Sequence, residues 1–234
     1  MVDEKKYKPP SKSASDALYA LVKGVIGEAP LGGSIGSELF GLIIAAPFQK
    51  RQEAWMNAVS NGLIELFRKD ETILERLQND PHFITILTNA TYIVMRNHQK
   101  EKLSALQNVV LNAASGIAIE DSIQYVFLSY IDYFTPHHLM ILTIFENPRK
   151  WLTEKGLINK STHGGSPRMI LEWGIPDYNK NPAIYMQMVE DLTNRGLLDK
   201  IVFGVTMTAT GLEAPRLTEL GKAFLSFIKK PQPS

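Results

Sequence analysis

The sequence predicts a mainly α-helical protein: an N-terminal helical bundle with a glycine-rich hairpin, followed by a winged-helix-like module with a short β-hairpin. Three observations lead to this fold class. Four polar capping residues stand directly before a proline, apolar residues recur at helical spacing through the first two thirds, and one β-branched run appears late in the chain. Up to Phe145 the sequence shows no strand-like alternation, which indicates helix throughout that part.

Each of the four polar residues that precede a proline predicts the start of a helix. A side-chain oxygen at the N-cap accepts a hydrogen bond from a free backbone N–H, and proline at the next position has no N–H to leave unpaired. The four pairs are Asp80-Pro81, Thr135-Pro136, Asn147-Pro148 and Asn181-Pro182. Downstream of the first two, apolar residues fall three or four positions apart, as one face of a helix requires.

The helical bundle is predicted over residues 15–134, after a flexible N-terminus of residues 1–14. Apolar stripes at helical spacing run through residues 55–67, 83–94 and 103–114, and a further helix begins near Glu120. Where this helix meets the C-terminal module, large apolar side chains cluster on both sides of a tight turn. We expect five of them to be buried: Phe127, Tyr130, Phe134, Leu139 and Leu142.

The winged-helix-like module is predicted over residues 135–230, with an insertion at residues 158–180. The module begins with three short helices. Gly156 and Gly196 are placed as the C-terminal caps of the second and third of them. Residues 201–208 are rich in β-branched and aromatic side chains, so we expect them to pair with residues 215–217 as a β-hairpin. Thr218 then caps a last amphipathic helix that ends at Ile228.

Winged helices often bind DNA, and the third helix of this module would then enter a groove of the DNA. The side chains available for such contacts are Gln187, Asn194, Arg195 and Arg216. The same helix carries Glu190 and Asp191, which repel phosphate, and the net charge of +1 provides no field to hold nucleic acid. We therefore expect the module to serve packing or dimerisation, with a DNA-binding transcriptional regulator as the alternative.

Residues 15–47 form an almost uncharged, glycine-rich segment. Two short helices, over residues 15–27 and 37–46, are expected to be joined by a turn at residues 30–36. Glycine lets two backbones approach closely, but neither half reaches the ~20 apolar residues that cross a bilayer. The residues expected to matter for assembly or membrane contact are Gly32, Gly33, Gly36, Gly41 and Glu38. A hairpin buried against the bundle is the favoured interpretation, and membrane contact is the alternative.

Catalytic and metal-binding patterns are absent from the sequence, so we expect no enzyme activity and no cofactor. His137 and His138 are adjacent, which turns their rings about 100° apart on a helix and prevents them from sharing a metal. These imidazoles are expected to face solvent, as are Asp121 and Asp132. The chain lacks cysteine and shows no signal peptide, which favours the cytoplasm, with peripheral contact at the inner membrane as an option.

Two long segments carry a resemblance to known proteins. The runs ATYIVMRNHQKEKLSALQNVVLNAA and FLSYIDYFTPHHLMILTIFENPRKWL look like a set of uncharacterised bacterial proteins, and the overall plan resembles the Abi-alpha abortive-infection family. The shared features are the glycine-rich start, the NAA-type turn and an ending like LTELGKAFLSFI. The resemblance extends over nearly the whole chain and implies a role in bacterial phage defence without catalytic residues. The expected partner is another protein or a second copy of the chain.

Overall fold

The computed structural model describes residues 46–117, 119–201 and 203–230. These residues fall into two compact units: the described residues up to Asp132 together with Lys229 and Lys230 form the first, and Tyr133–Ile228 form the second. Regular structure within them is helical, so the mainly α class is confirmed. The glycine-rich segment, with Gly32, Gly33, Gly36, Gly41 and Glu38, lies outside the described residues.

The first unit is built from five helices, the last of which ends one residue inside the second unit. They are α1 (Ala46–Phe67), α2 (Ile73–Gln78), α3 (Pro81–Arg96), α4 (Lys100–Ala114) and α5 (Asp121–Tyr133). Helices α3 and α4 pack most extensively against each other, and α1 lies against both. The stripe predicted on α3 is confirmed, because all six of its apolar positions are buried: Phe83, Ile86, Leu87, Ala90, Ile93 and Val94.

Polar side chains also tie α1 to α3. The indole N–H of Trp55 donates a 2.9 Å hydrogen bond to the Thr91 hydroxyl inside the core, which satisfies the one polar atom of a buried tryptophan. Arg51 donates a 2.6 Å hydrogen bond to the carbonyl of Met95. Because the last carbonyls of a helix have no partner within it, this bond completes the C-terminal turn of α3.

The second unit contains six α-helices and two short 3₁₀ turns among its described residues. The helices are α6 (Pro136–Glu146), α7 (Pro148–Glu154), α8 (Pro167–Gly174), α9 (Pro182–Asn194), α10 (Ala209–Leu212) and α11 (Glu219–Ile228); the turns are Ile158–Ser161 and Tyr178–Lys180. Residues 158–180, which we expected to be an insertion, contribute to the core of the unit. Four of their side chains are almost completely buried: Ile170, Leu171, Ile175 and Tyr178.

The helix boundaries follow the predicted capping signals. Helices α3, α6, α7 and α9 each begin at the proline of one of the four predicted pairs. The Asp80 carboxylate accepts hydrogen bonds from the backbone N–H groups of His82 and Phe83, as an N-cap should. Gly156 and Gly196 adopt φ of 69° and 72°, the left-handed conformation of a C-terminal cap.

The predicted pairing of residues 201–208 with residues 215–217 is wrong for the described part of the chain, where no strand is formed. Two isolated antiparallel bridges occur instead, Leu198 with Leu217 and Gly165 with Met207. The N–H groups of Gly165 and Met207 each donate to the other's carbonyl at 2.9 Å. The end of the β-branched run is therefore paired with the loop before α8, and α10 begins directly after Thr208, so tertiary contacts override local β propensity.

Four of the five side chains predicted to be buried near the turn before α6 are buried. Phe127, Phe134, Leu139 and Leu142 are all at most 8% exposed. Tyr130 is only half-buried, so the prediction for this side chain is wrong. The apolar positions of α5 extend around the helix beyond the face that packs into the core, which leaves part of this helix open to solvent.

A close backbone approach in the second unit gives a test of its packing. A Cβ atom on Gly221 would overlap the carbonyl oxygen of Leu197. We expect Gly221→Ala to lower the free energy of unfolding by about 1–3 kcal/mol, the usual cost of overpacking, although helix propensity alone favours alanine. Urea unfolding measures the change. Gly204→Ala is the matched control, since a Cβ there meets nothing within 4 Å. Equal stability of the two variants would contradict the close approach of Gly221 to Leu197.

Candidate functional site

A groove runs between α3 and α5 in the first unit. It consists of three neighbouring cavities of about 410, 160 and 150 Å³. The first two share His82 and Asp121 in their walls, and the second and third share Asn89 and Tyr125. The three cavities therefore form one continuous feature, the α3–α5 groove, which spans about 21 Å along α3 at the helical rise of ~1.5 Å per residue.

The α3–α5 groove combines a buried apolar floor with an exposed aromatic rim. The floor contains side chains that are at most 5% exposed: Phe83, Ile86, Ile93 and Leu128. Tyr92 and Tyr125 line the groove and are 66% and 69% exposed. Large exposed aromatic side chains beside an apolar depression are characteristic of protein-binding surfaces. Their arrangement could accept an apolar segment of a protein.

A hydrogen bond and an ion pair between α3 and α5 mark the two ends of the groove. His82 Nδ1 lies 2.7 Å from an Asp121 carboxylate oxygen at one end. At the other end Arg96 contacts Asp132 through two nitrogens, at 2.6 and 3.1 Å. Such exposed pairs contribute only about 0–1 kcal/mol each. The first contact joins the first turns of α3 and α5, and the second joins their last turns, so the two helices run in the same direction. The two contacts also define where the groove begins and ends.

A buried lysine holds the C-terminal end of α5. Lys102 on α4 is 3% exposed, and its ammonium donates a 2.7 Å hydrogen bond to the backbone carbonyl of Asp132. Burial lowers the pKa of Lys102, and the nearby Asp132 carboxylate partly opposes this shift. None of the sequence patterns above predicts the burial of Lys102. Its position, four residues before the buried Leu106, placed it on the apolar face of α4 and was the available signal.

The end of the groove near His82 is acidic. Asp80, Glu120 and Asp121 line the cavity of about 410 Å³ and outnumber its two basic residues, Arg76 and His82. We call this the acidic end of the α3–α5 groove. The other end carries one cation and one anion, Arg96 and Asp132. A bound segment with cations at one of its ends would therefore be favoured in the direction that brings those cations to the acidic end.

His138, which we expected to face solvent, is buried at the start of α6 and only 4% exposed. Its Nδ1 accepts a 3.1 Å hydrogen bond from the backbone N–H of Thr135, and its ring stacks on Phe134 with centroids 4.9 Å apart. Nε2 lies 3.5 Å from an Asp191 carboxylate oxygen, which is long for a hydrogen bond. Burial lowers the pKa of His138 below its usual 6.5, and Asp191 opposes the shift.

Two of the four predicted DNA contacts are engaged inside the second unit. The guanidinium of Arg195 lies 4.3 Å from the ring centroid of Tyr133, a cation–π contact. Arg216 is half-buried and donates a 2.7 Å hydrogen bond to the carbonyl of Gly211, and burial lowers its pKa. Neither side chain is held toward a nucleic acid by these contacts.

The other two predicted DNA contacts, Gln187 and Asn194, lie exposed on α9. Gln187 donates a 3.1 Å hydrogen bond to Asp191, the same carboxylate that lies near His138. Of the four residues, Gln187 is bonded to Asp191, Arg195 contacts Tyr133 and Arg216 is bonded to Gly211, so these contacts do not form a basic surface.

Comparison of the chain with protein-family models, with curated proteins and with solved structures finds no match. Among the described helices, none has both the length and the apolar character that a membrane span requires. The residues that the structure describes also contain no cluster of three His, Asp or Glu side chains placed to bind a metal ion.

The buried His138 predicts a pH dependence of stability. The pKa of His138 is lowered in the folded state, so below pH 6.5 the unfolded chain binds more protons than the folded chain. The contribution of neutral His138 to the free energy of unfolding is therefore complete above pH 6.5 and falls as the pH drops. We expect His138→Gln to reduce the loss of unfolding free energy between pH 7 and 5, by up to about 1.4 kcal/mol per pH unit. Glutamine keeps an acceptor for the Thr135 N–H but does not titrate.

Urea unfolding at a series of pH values measures this slope. His163→Gln is the matched control, since His163 is exposed, and it should leave the slope as in the wild type. An unchanged slope in His138→Gln would show that His138 does not become protonated on unfolding in this range.

Proposed function

We propose that this protein acts by binding protein through the α3–α5 groove, with a second copy of the chain as its partner, and not by catalysis. The observation that carries the proposal is the exposed pair Tyr92 and Tyr125 above a fully buried apolar floor. Tyrosine supplies a large contact area at little entropic cost, and such side chains commonly contribute most to interface energies. The groove is open to solvent along the described part of both helices.

The dimensions of the groove favour a helical ligand. Its length of about 21 Å corresponds to four turns of helix, and its apolar floor follows one line between α3 and α5. An amphipathic helix binds such a groove through apolar residues three or four positions apart. The polar side chains at the two ends of the groove affect the direction in which a ligand binds more than the affinity of that ligand.

The biological setting that we propose is bacterial phage defence, in the cytoplasm or peripherally at the inner membrane. It is supported by the resemblance to the Abi-alpha family. For the second unit we propose a winged-helix-like module used for packing or dimerisation. The order of α6, α7 and α9, the bridge between Leu198 and Leu217, and the final α11 support this arrangement.

Site-specific photocrosslinking tests self-association through the groove. A photoreactive phenylalanine analogue would replace Tyr125 in the full chain, expressed in a bacterial host with and without phage challenge. We expect an adduct of twice the 26.2 kDa chain mass, because a bound second copy would lie against this rim. Denaturing gels and mass spectrometry of the adduct provide the measurement.

The same analogue at Glu65, an exposed position on α1 away from the groove walls, is the matched control and should give little adduct. Equal yields at the two positions, or no adduct of doubled mass at Tyr125 in either condition, would contradict self-association through the groove. An adduct of another mass would show that the partner is a different protein and not a second copy of the chain.

A DNA-binding regulator remains the alternative proposal, and it makes the opposite prediction in a binding assay. Because Arg195 and Arg216 are engaged internally and Asp191 lies beside Gln187, the counterion-release contribution to DNA affinity should be small. We expect no sub-micromolar binding when genomic DNA fragments are titrated with the full chain at low salt. Tight binding that weakens steeply with added salt would favour the regulator.

A further inference from the structure

We infer that two copies of the chain pair symmetrically through the α3–α5 groove, so that α5 of each copy lies in the groove of the other and the two α5 helices run antiparallel. This inference rests on the proposed function of the groove and names the helix, the symmetry and the register of the second copy. Three features of the first unit support it: an exposed stripe on α5 beside the groove, the matching lengths of α5 and the groove, and the uneven charge along the groove.

The surface around α5 contains both parts of a helix-in-groove contact. Four exposed side chains fall at positions i, i+3, i+4 and i+7 and form one stripe along the helix: Ser122, Tyr125, Val126 and Ser129. Tyr125 and Ser129 also line the groove. Because the stripe and the groove lie side by side on one surface, a two-fold axis brings the stripe of each copy to the groove of the other.

The dimensions of α5 fit the groove that it would enter. Its 13 residues span about 20 Å, which matches the groove length of about 21 Å. A two-fold axis at the level of Phe127, the middle of α5, places Tyr125 of each copy opposite Ser129 of the other. A large aromatic side chain then lies over a small one, and Tyr125, which is 69% exposed in one copy, becomes covered in the pair.

The charges along the groove favour the antiparallel direction. The acidic end has a net negative charge, because its carboxylates outnumber its basic residues. The other end carries Arg96 and Asp132. Lys100 and Glu101, exposed at the start of α4, add one charge of each sign near that end. A parallel pair would bring the two acidic ends together, whereas the antiparallel pair brings each acidic end to the balanced end of the other copy.

The size of the contact predicts a weak, reversible dimer. Two helices whose axes lie about 10 Å apart present a face of about 400 Å² over the length of the groove, so a pair of copies would bury about 800 Å². Interfaces of this size belong to transient complexes. We therefore expect a dissociation constant in the micromolar range, with monomer and dimer in exchange.

Cross-linking of single cysteines in the full chain tests the register, because the sequence contains no cysteine. In the antiparallel pair the two Ser129 positions lie about 6 Å apart along the helix axes, and the two Ser122 positions lie about 15 Å apart. A short bis-maleimide should therefore join two Ser129→Cys chains at least about tenfold faster than two Ser122→Cys chains, whose separation it cannot span. Denaturing gels and peptide mass mapping follow the reaction.

A larger, charged side chain in the stripe tests whether dimerisation uses this face. Ser129→Lys should raise the dissociation constant, measured by sedimentation equilibrium, at least about tenfold, because the lysine occupies the place of Tyr125 from the other copy. Ser104→Lys is the matched control, since Ser104 is exposed on α4 and lies outside the walls of the three cavities. It should dimerise as the wild type does. Thermal melts confirm that each variant is folded.

The outcomes separate the inference from the proposed function. Equal rates for Ser129→Cys and Ser122→Cys, or faster reaction of Ser122→Cys, would overturn the antiparallel register. Unchanged dimerisation of Ser129→Lys would overturn the contact through α5. The photocrosslinking at Tyr125 reports self-association in any register, so an adduct of doubled mass together with equal cysteine rates would keep the proposed function and reject this inference. The absence of both the adduct and the Ser129→Cys cross-link would reject the two together.

Discussion

The hydrogen bond from buried Lys102 to the carbonyl of Asp132 is the constraint on which the described first unit depends. An ammonium group in the core must have a partner, since a buried charge that loses one costs several kcal/mol. Helix C-termini offer unpaired carbonyls and a partial negative charge, so α5 supplies a suitable partner. Helix α4, which packs extensively on α3, is thereby connected to α5, and the position of α5 relative to α3 defines the groove.

The α3–α5 groove follows from the way α5 is held. Bonds at its two ends, through Asp121 and Asp132, keep it beside α3, while the apolar side chains between them do not fill the space. A fully packed pair of helices would bury its rim, whereas Tyr92 and Tyr125 stand out into solvent. Leaving large aromatic side chains exposed has no stabilising effect within the fold, which favours a role in binding.

Polar groups in the second unit are used internally. His138 completes the N-terminus of α6 and lies near Asp191, and Arg195 stacks on Tyr133 instead of extending from α9. Arg195 and Arg216 are engaged within the fold, so these two cations contribute little to the affinity for a polyanion. Asp191 on α9 lies beside His138 on α6, and the two helices pack against each other.

The sequence alone determined where the helices begin, because proline after a capping residue acts locally: α3, α6, α7 and α9 start where predicted. It also determined the buried face of α3, since periodicity decides which side chains face the core. Only tertiary structure decided that Lys102 and His138 are buried, because the Asp132 carbonyl and the Asp191 carboxylate beside them are distant in sequence and are placed by packing. It likewise replaced the predicted β-hairpin by two single bridges, since strand pairing depends on which segment lies opposite, and Gly165 lies opposite Met207.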